Sequence, residues 1–171
     1  MNVSLNVPLE VLLSQPALHA LDAARIAAGI AAERITLELT EEHPLSGLER
    51  LGAAVTWLRQ IGYGLAIDDV GPETRDHTAL LSLPFTMLKL DRALVRAATH
   101  QSGHDAFLRG AVAGARSAGM TVVAEGIETP EQWAYALDVG IDAAQGFLIS
   151  RAMPLSAVGP WLYAWPGERT R

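Results

Sequence analysis

Residues 34–41 read RITLELTE and residues 86–91 read TMLKLD, and these two short stretches decide the fold. In the first, apolar residues alternate along one face of a predicted strand, and Glu38 lies on the other face. In the second, Lys89 lies between two leucines in the same way. Because a charged side chain inside a core strand is costly without a partner, the two strands predict a shared polar centre.

Short β-type runs alternate with amphipathic helical segments along the chain. Strands are predicted at residues 4–7, 35–40, 65–69, 86–91, 121–125 and 143–149. Helices are predicted at residues 17–30, from Pro44 to Ile61, at 106–118 and at 130–139. This alternation implies parallel strands with right-handed crossovers, in a doubly wound sheet or in a barrel.

Polar side chains recur near the C-terminal ends of these strands, and their distribution favours the barrel. They are Asn6, Glu38, Asp68 with Asp69, Lys89, Glu125 and Gln145. Barrel enzymes build their sites at this end, with residues from several strands. We therefore expect an α/β fold of the (β/α)8 type with about six of its eight strands in this chain, and about two strands missing ahead of Asn6.

The chemistry of these side chains points to a metal site. Carboxylate and amide oxygens are ligands that magnesium and manganese prefer. Two metal ions would relieve the repulsion between Asp68 and Asp69 and could activate water for attack on a phosphodiester. Lys89, the single lysine among thirteen basic residues, could offset developing phosphate charge. Taken one at a time, each carboxylate is better explained as a strand-end cap or an ion-pair partner, but their recurrence at the same end of successive strands favours a shared site.

The composition argues against several other classes of function. The net charge of −6 argues against DNA or RNA binding, and no apolar run is long enough for a membrane segment. The absence of cysteine excludes thiolate chemistry and fits a cytoplasmic location. His100 and His104 have helical metal-ligand spacing, but Ser102 and Gly103 between them predict a loop and helix cap, so zinc is not favoured.

Five ordered motifs resemble those of the EAL family, the bacterial cyclic di-GMP phosphodiesterase domains. They read LELTE, IDDVG, LKLD, VVAEGIET and AAQGFLIS, and the N-terminal SLNV resembles a further strand of that family. The resemblance spans nearly the whole chain, so residues 1–171 are expected to form a single EAL-like domain. It implies a barrel with a two-metal site of Mg²⁺ or Mn²⁺ that linearises cyclic di-GMP.

The resemblance also implies a role for each matching residue. Asn6, Glu38 and Asp68 would hold one metal ion, and Asp69 with Asp68 the other. Lys89 and Glu125 would act on the attacking water as catalytic residues. Supporting or substrate-contacting roles would fall to Glu41, Asp91, Glu128 and Gln145, with Glu41 bracing the loop after the paired aspartates.

Two departures from the family pattern argue against activity. The Glu-Ala-Leu segment that names the family is expected on an earlier strand, so this chain would lack its glutamate and its substrate contacts. The family's Gly-Thr-Gly-Tyr-Ser-Ser type loop is replaced at residues 71–76 by GPETRD. Proline fixes one backbone angle and removes a donor, and the acidic residues add charge beside the aspartates.

These departures favour a catalytically silent regulatory or protein-binding domain, which we expect to be part of a longer multidomain signalling chain. Binding of cyclic di-GMP would then be weak or absent, and the metal site weak or empty. An active phosphodiesterase that forms linear pGpG is the alternative, and a phosphohydrolase of another substrate is the third possibility. The open strand edge should be covered by a second copy, giving a homodimer, or by the C-terminal tail.

Overall fold

The computed structural model describes residues 2–40, 48–74 and 77–165, and its centre is a parallel sheet. The strands are β1 (Val3–Pro8), β2 (Ile35–Thr40), β3 (Gly64–Val70), β4 (Met87–Leu90), β5 (Thr121–Ala124) and β6 (Ala143–Ala144). Neighbouring strands pair in parallel and in chain order from β1 to β6. A doubly wound sheet reverses its strand order at a switch point, whereas a barrel does not. The predicted α/β class is confirmed, and the strand order is that of a barrel.

Helices follow the strands. They are α1 (Leu9–Leu12), α2 (Gln15–Ala27), α3 (Leu48–Ile61), α4 (His77–Leu80), α5 (Arg92–Ala98), α6 (Ser102–Ser117), α7 (Pro130–Val139) and α8 (Leu155–Ala164), and a 3₁₀ turn (Ala32–Arg34) precedes β2. Within the described part of the chain, no helix combines the length and the apolar character that a membrane crossing requires.

Local sequence signals account for the best-predicted helix, α7, which spans the predicted residues 130–139. Thr129 and Gln132 form a reciprocal capping box at its start, where Pro130 occupies the first turn. Gly140 ends the helix in the left-handed conformation, with φ of 79°. Start and stop residues together fix both boundaries of α7.

Two predicted boundaries differ from the structure by several residues, and a third cannot be compared with it. The last strand is two residues long rather than seven, because the backbone turns away at Gly146, where an added Cβ would lie 2.2 Å from the Ile127 carbonyl oxygen. Helix α6 begins at Ser102 instead of residue 106, so Ser102 and Gly103 are helical rather than a loop. The expected helix start at Pro44 lies outside the described residues.

A continuous apolar core lies between the sheet and its helices. It includes Leu37, Val55, Leu88, Val112 and Val122, each at most 3% exposed. The packing of these side chains holds the strands at fixed register, and thereby places the polar residues at the strand ends.

The outer side of β1 is less well covered. Val3 and Leu5 are 40% and 45% exposed, and none of the residues of α8 is buried. In α8, Leu155 and Tyr163 are among the most exposed large apolar side chains described, at 74% and 94%. The C-terminal helix therefore does not cover β1 in the way that the sequence suggested.

Candidate metal and catalytic site

Lys89 is the centre of the candidate site. Its Nζ lies 2.7 Å from Glu38 Oε2, 2.8 Å from Asp68 Oδ1 and 2.6 Å from Glu125 Oε1. Lys89, Glu38 and Asp68 are each less than 9% exposed. Because all three carboxylate oxygens contact one nitrogen, they lie within about twice that contact distance of one another. Strands β2, β3, β4 and the end of β5 thus bring their charged residues to one point, as predicted.

Charge pairing sets the protonation of this centre. Burial by itself would lower the pKa of Lys89, but its hydrogen bonds to Asp68, Glu125 and Glu38 outweigh burial and raise that pKa. Burial raises the pKa of Glu125, and the ion pair with Lys89 opposes that rise. At neutral pH the ammonium is therefore charged and held among carboxylates.

Asp68 and Asp69 reach the same site through an irregularity in β3. In a regular strand two consecutive side chains point to opposite faces. Here the register with β4 shifts between Ile67 and Val70, and Asp69 has a φ of 53°, in the left-handed region. This bulge lets both aspartates face the rim, where the Asp69 amide donates to Asp68 Oδ1 over 3.0 Å.

Asp68, Asp69 and Glu125 form a cluster suited to a cation. One carboxylate oxygen from each lies within 4.8 Å of the others. Burial, together with the charge of Asp68, raises the pKa of Asp69, as expected for carboxylates that share a small volume. Hard oxygen donors at this spacing fit Mg²⁺ or Mn²⁺ better than a softer metal. The residues present therefore fit the implied metal.

Asn6 and Gln145 lie on either side of this centre. Asn6 is paired in register with Glu38, so its side chain is on the same face of the sheet, and it is exposed. Gln145, which directly follows β6, donates from Nε2 to Glu125 Oε1 over 2.9 Å and so orients that carboxylate. Their metal and support roles remain predictions.

Two of the other three predicted residues have different surroundings, and the third cannot be placed. Asp91 Oδ1 accepts hydrogen bonds from the amides of Ala93 and Leu94, and so caps α5. Glu128 Oε1 lies 3.6 Å from Arg92 Nη1. Glu41 falls outside the described residues. A capping role accounts for Asp91, whose charge also contributes to the raised pKa of Asp69.

The loop after the paired aspartates is a tight turn. The Thr74 amide donates to the Gly71 carbonyl over 3.0 Å, and the Gly71 amide donates to Thr74 Oγ1 over 2.9 Å. Thr74 Oγ1 also lies 3.4 Å from the Asp69 carbonyl oxygen, while Pro72 and Glu73 are exposed. The substituted loop is thus fastened to the backbone of Asp69 by its own hydrogen bonds.

A cavity of about 620 Å³ opens beside the site, and it includes residues that the sequence did not single out. Asp69, Glu125 and Gln145 line one part of it, while Arg92 and Arg151 line another. The only sequence signal was the arginine that follows LKLD directly. That signal is weak, because an arginine at the start of a helix is ordinary on a protein surface.

Comparison with known proteins identifies the family. The EAL domain family matches residues 1–152. Cyclic di-GMP phosphodiesterase NbdA of Pseudomonas aeruginosa is 33% identical over 86% of this chain, and RocR of the same organism is 36% identical over 70%. The chain belongs to the EAL domain family, whose motifs the sequence resembled.

Solved structures agree with this fold. The EAL domain of Mycobacterium smegmatis DcpA has a TM-score of 0.87 and 28% identity, over 96% of this chain and 74% of that one. The PaMucR phosphodiesterase in complex with c-di-GMP has a TM-score of 0.83 and 27% identity, over 92% and 64%. The chain therefore has the TIM-barrel-like EAL fold, with six of its strands described here.

The matched curated relatives are much longer than this chain. It spans 18% of NbdA and 31% of RocR. The family places the chain in cyclic di-GMP signalling, while the activity, substrate and partners of the whole protein are matters for proposal.

Proposed function

We propose that this EAL domain is a regulatory or protein-binding module of cyclic di-GMP signalling whose own hydrolysis of cyclic di-GMP is negligible. The turn at residues 71–74 is the main observation that supports this proposal. It has Pro72 and Glu73 where the family's loop has threonine and glycine, and the Thr74 hydroxyl accepts from the Gly71 amide and lies 3.4 Å from the carbonyl oxygen of Asp69. The site then has little freedom to rearrange around a substrate.

Electrostatics supports the same conclusion. Asp68, Asp69, Glu38 and Glu125 face one ammonium, so the centre is net negative before any substrate phosphate arrives. Glu73 adds a further carboxylate to the loop next to Asp69. Like charges that converge in a partly buried site disfavour an anionic substrate unless cations bind. Weak metal binding would therefore lead directly to negligible turnover.

The exposed apolar residues fit a module that contacts another protein. Val3 and Leu5 of β1 are exposed, although parallel barrel strands are normally covered on both faces. Covering by a second copy of the chain, giving a homodimer, remains a prediction. Light scattering after size-exclusion chromatography tests it: a monomer at all concentrations would contradict it.

A metal-dependent phosphodiesterase that forms linear pGpG is the second candidate, and the Lys89 centre favours it. Glu38, Asp68 and Asp69 would hold divalent ions, which supply an activated water and neutralise phosphate charge. Lys89 would hold that water in place, and Glu125 would take its proton. The hydrogen bond from Gln145 orients Glu125 for this role.

Turnover of cyclic di-GMP with Mg²⁺ or Mn²⁺ separates the two candidates. The 171-residue chain should be at least ~100-fold slower than RocR assayed in parallel, at the upper end of effects seen when groups around metal ligands are changed. A variant with Thr-Gly-Tyr-Ser-Ser at positions 72–76 should recover part of the activity. Robust turnover by the unmodified chain that Glu38→Ala abolishes would instead establish the phosphodiesterase.

A further inference from the structure

A second cavity, of about 830 Å³, lies between the start of α2 and helix α3, away from the Lys89 centre. None of the described residues that line it also lines the cavity beside the site. One wall of this second cavity is formed on α3 by Arg50, Ala53, Ala54 and Trp57. Their spacing places them in one stripe along the helix. Because two alanines lie between an arginine and a tryptophan, the stripe is concave, and a volume of this size is ordinary for a small-molecule site.

The opposite wall of the second cavity is mostly apolar. It comprises Leu12, Leu13, Pro16 and Leu18. Leu12 and Leu18 are each 2% exposed and belong to the packed core, so this wall has a fixed shape. The His19 ring packs edge-on against the Trp57 ring, with the ring centroids 5.2 Å apart, and so holds the indole in place. These surfaces suit the apolar part of a ligand.

Two opposite charges line the same cavity. Arg50 Nη2 donates to the Leu13 carbonyl over 3.0 Å. Glu10 comes three residues before Leu13, and side chains at that spacing are neighbours on a helix surface. Among the residues that the structure describes, neither Arg50 nor Glu10 has an ion-pair partner. The cavity therefore offers a cation and an anion close together, beside an apolar wall.

We propose that this second cavity binds a small zwitterion with an apolar body, such as a free apolar α-amino acid. The carboxylate of the ligand binds the Arg50 guanidinium, whose planar set of donors matches a carboxylate. Its ammonium group faces Glu10, and its side chain lies against Trp57 and the apolar wall. The assignment goes beyond the proposed function and gives a regulatory domain a second binding site, which depends on neither metal nor hydrolysis at the Lys89 centre.

Calorimetric titration of the 171-residue chain with L-phenylalanine tests the proposal, together with two probes that each lack one charge. Phenethylamine has no carboxylate, and phenylpropionate has no ammonium group. Each should bind at least ~10-fold more weakly than phenylalanine, because hydrogen bonds to charged groups contribute more than neutral ones. Glycine, which lacks the apolar body, should also bind at least ~10-fold more weakly. The absence of saturable binding up to ~1 mM phenylalanine would overturn the proposal.

Two charge variants assign the ends of the ligand. Arg50→Gln should weaken phenylalanine binding at least ~10-fold but leave phenethylamine binding unchanged, since that probe has no carboxylate to lose. Glu10→Gln should weaken phenylalanine binding without weakening that of phenylpropionate. The control Arg96→Gln removes the same charge from an exposed position on α5 and should leave every affinity unchanged. Equal losses for phenylalanine and phenethylamine in Arg50→Gln would refute the role given to Arg50, and phenylpropionate binding as tight as that of phenylalanine would refute the role of Glu10.

A variant that fills the cavity tests its location. Ala53 is exposed and lies in the concave part of the stripe, so Ala53→Leu should abolish phenylalanine binding while keeping a residue that favours a helix. Ala113→Leu makes the same change at an exposed position on α6 and should bind normally. Urea unfolding of both variants checks that the fold is intact. Undiminished binding by Ala53→Leu would place the ligand elsewhere and refute the site, whereas turnover of cyclic di-GMP by the chain would refute catalytic silence without affecting this assignment.

Discussion

Removal of the Lys89 ammonium should destabilise the whole domain. In Lys89→Met, a side chain of similar length and no charge would replace an ammonium that contacts Glu38, Asp68 and Glu125 at 2.6–2.8 Å. Breaking a buried ion pair by removing one partner typically costs about 3–5 kcal/mol, because the remaining charge is uncompensated. Since three carboxylates lose their common partner here, we expect a loss of about 3 kcal/mol or more in the free energy of unfolding at pH 7.

The pH dependence of this loss distinguishes charge from packing. The raised pKa of Lys89 means that its ion pairs stabilise the fold from neutral pH up to about 10.4, and that this contribution is lost as the pH rises from there through the pKa of the folded state. In Lys89→Met the carboxylates repel when ionised, so the variant should recover stability as the pH falls toward 5 and they take up protons. A packing defect would show no such recovery.

Urea unfolding followed by circular dichroism measures both effects, and added Mg²⁺ provides an internal check. A divalent ion that binds the native carboxylates stabilises by mass action, and should stabilise Lys89→Met more than the unmodified chain because the ammonium no longer competes. Lys89→Arg keeps the charge and serves as the matched variant. A loss below about 1 kcal/mol for Lys89→Met would refute the central role given to Lys89.

Two further predictions concern stability away from the site. Tyr63 is fully buried, and its hydroxyl donates a hydrogen bond to Asp22 over 3.0 Å. Tyr63→Phe should therefore lower the free energy of unfolding by about 0.5–1.5 kcal/mol. The control Tyr163→Phe changes a residue that is 94% exposed, and should change the free energy of unfolding by less than ~0.5 kcal/mol. Thr129→Ala removes the capping box with Gln132 and should cost about 1 kcal/mol in the same urea assay; an unchanged midpoint would show that the box does not stabilise α7.

The sequence predicted the elements whose boundaries depend on local chemistry. Helix α7 matched because Thr129, Pro130 and Gly140 each specify a start or a stop. Strand β6 was predicted too long. The mostly apolar residues 143–149 resemble a strand, but the sequence pattern does not reveal the close approach of Gly146 to Ile127. That approach is a tertiary contact, and single-residue patterns do not encode it.

The candidate site was likewise predicted only in part from the sequence. The convergence of Glu38, Asp68, Lys89 and Glu125 followed from parallel strands ending at one rim, and the distances to Lys89 Nζ agree with it. The close approach of Arg92 to the backbone at Gly126 did not follow from the sequence. It depends on the space above Gly126, which only the folded arrangement of α5 and the loop after β5 reveals.

The bulge in β3 explains why two adjacent aspartates could serve one cluster at all. Without the register shift and the positive φ of Asp69, the side chains of Asp68 and Asp69 would point to opposite faces. A non-glycine residue in that conformation costs of order 1–3 kcal/mol unless its surroundings impose it. The turn closed by Thr74 hydrogen-bonds to the carbonyl of Asp69, and so helps to hold the strained residue in place. The same substituted loop that we propose to disfavour turnover therefore helps to preserve the geometry of the aspartate pair.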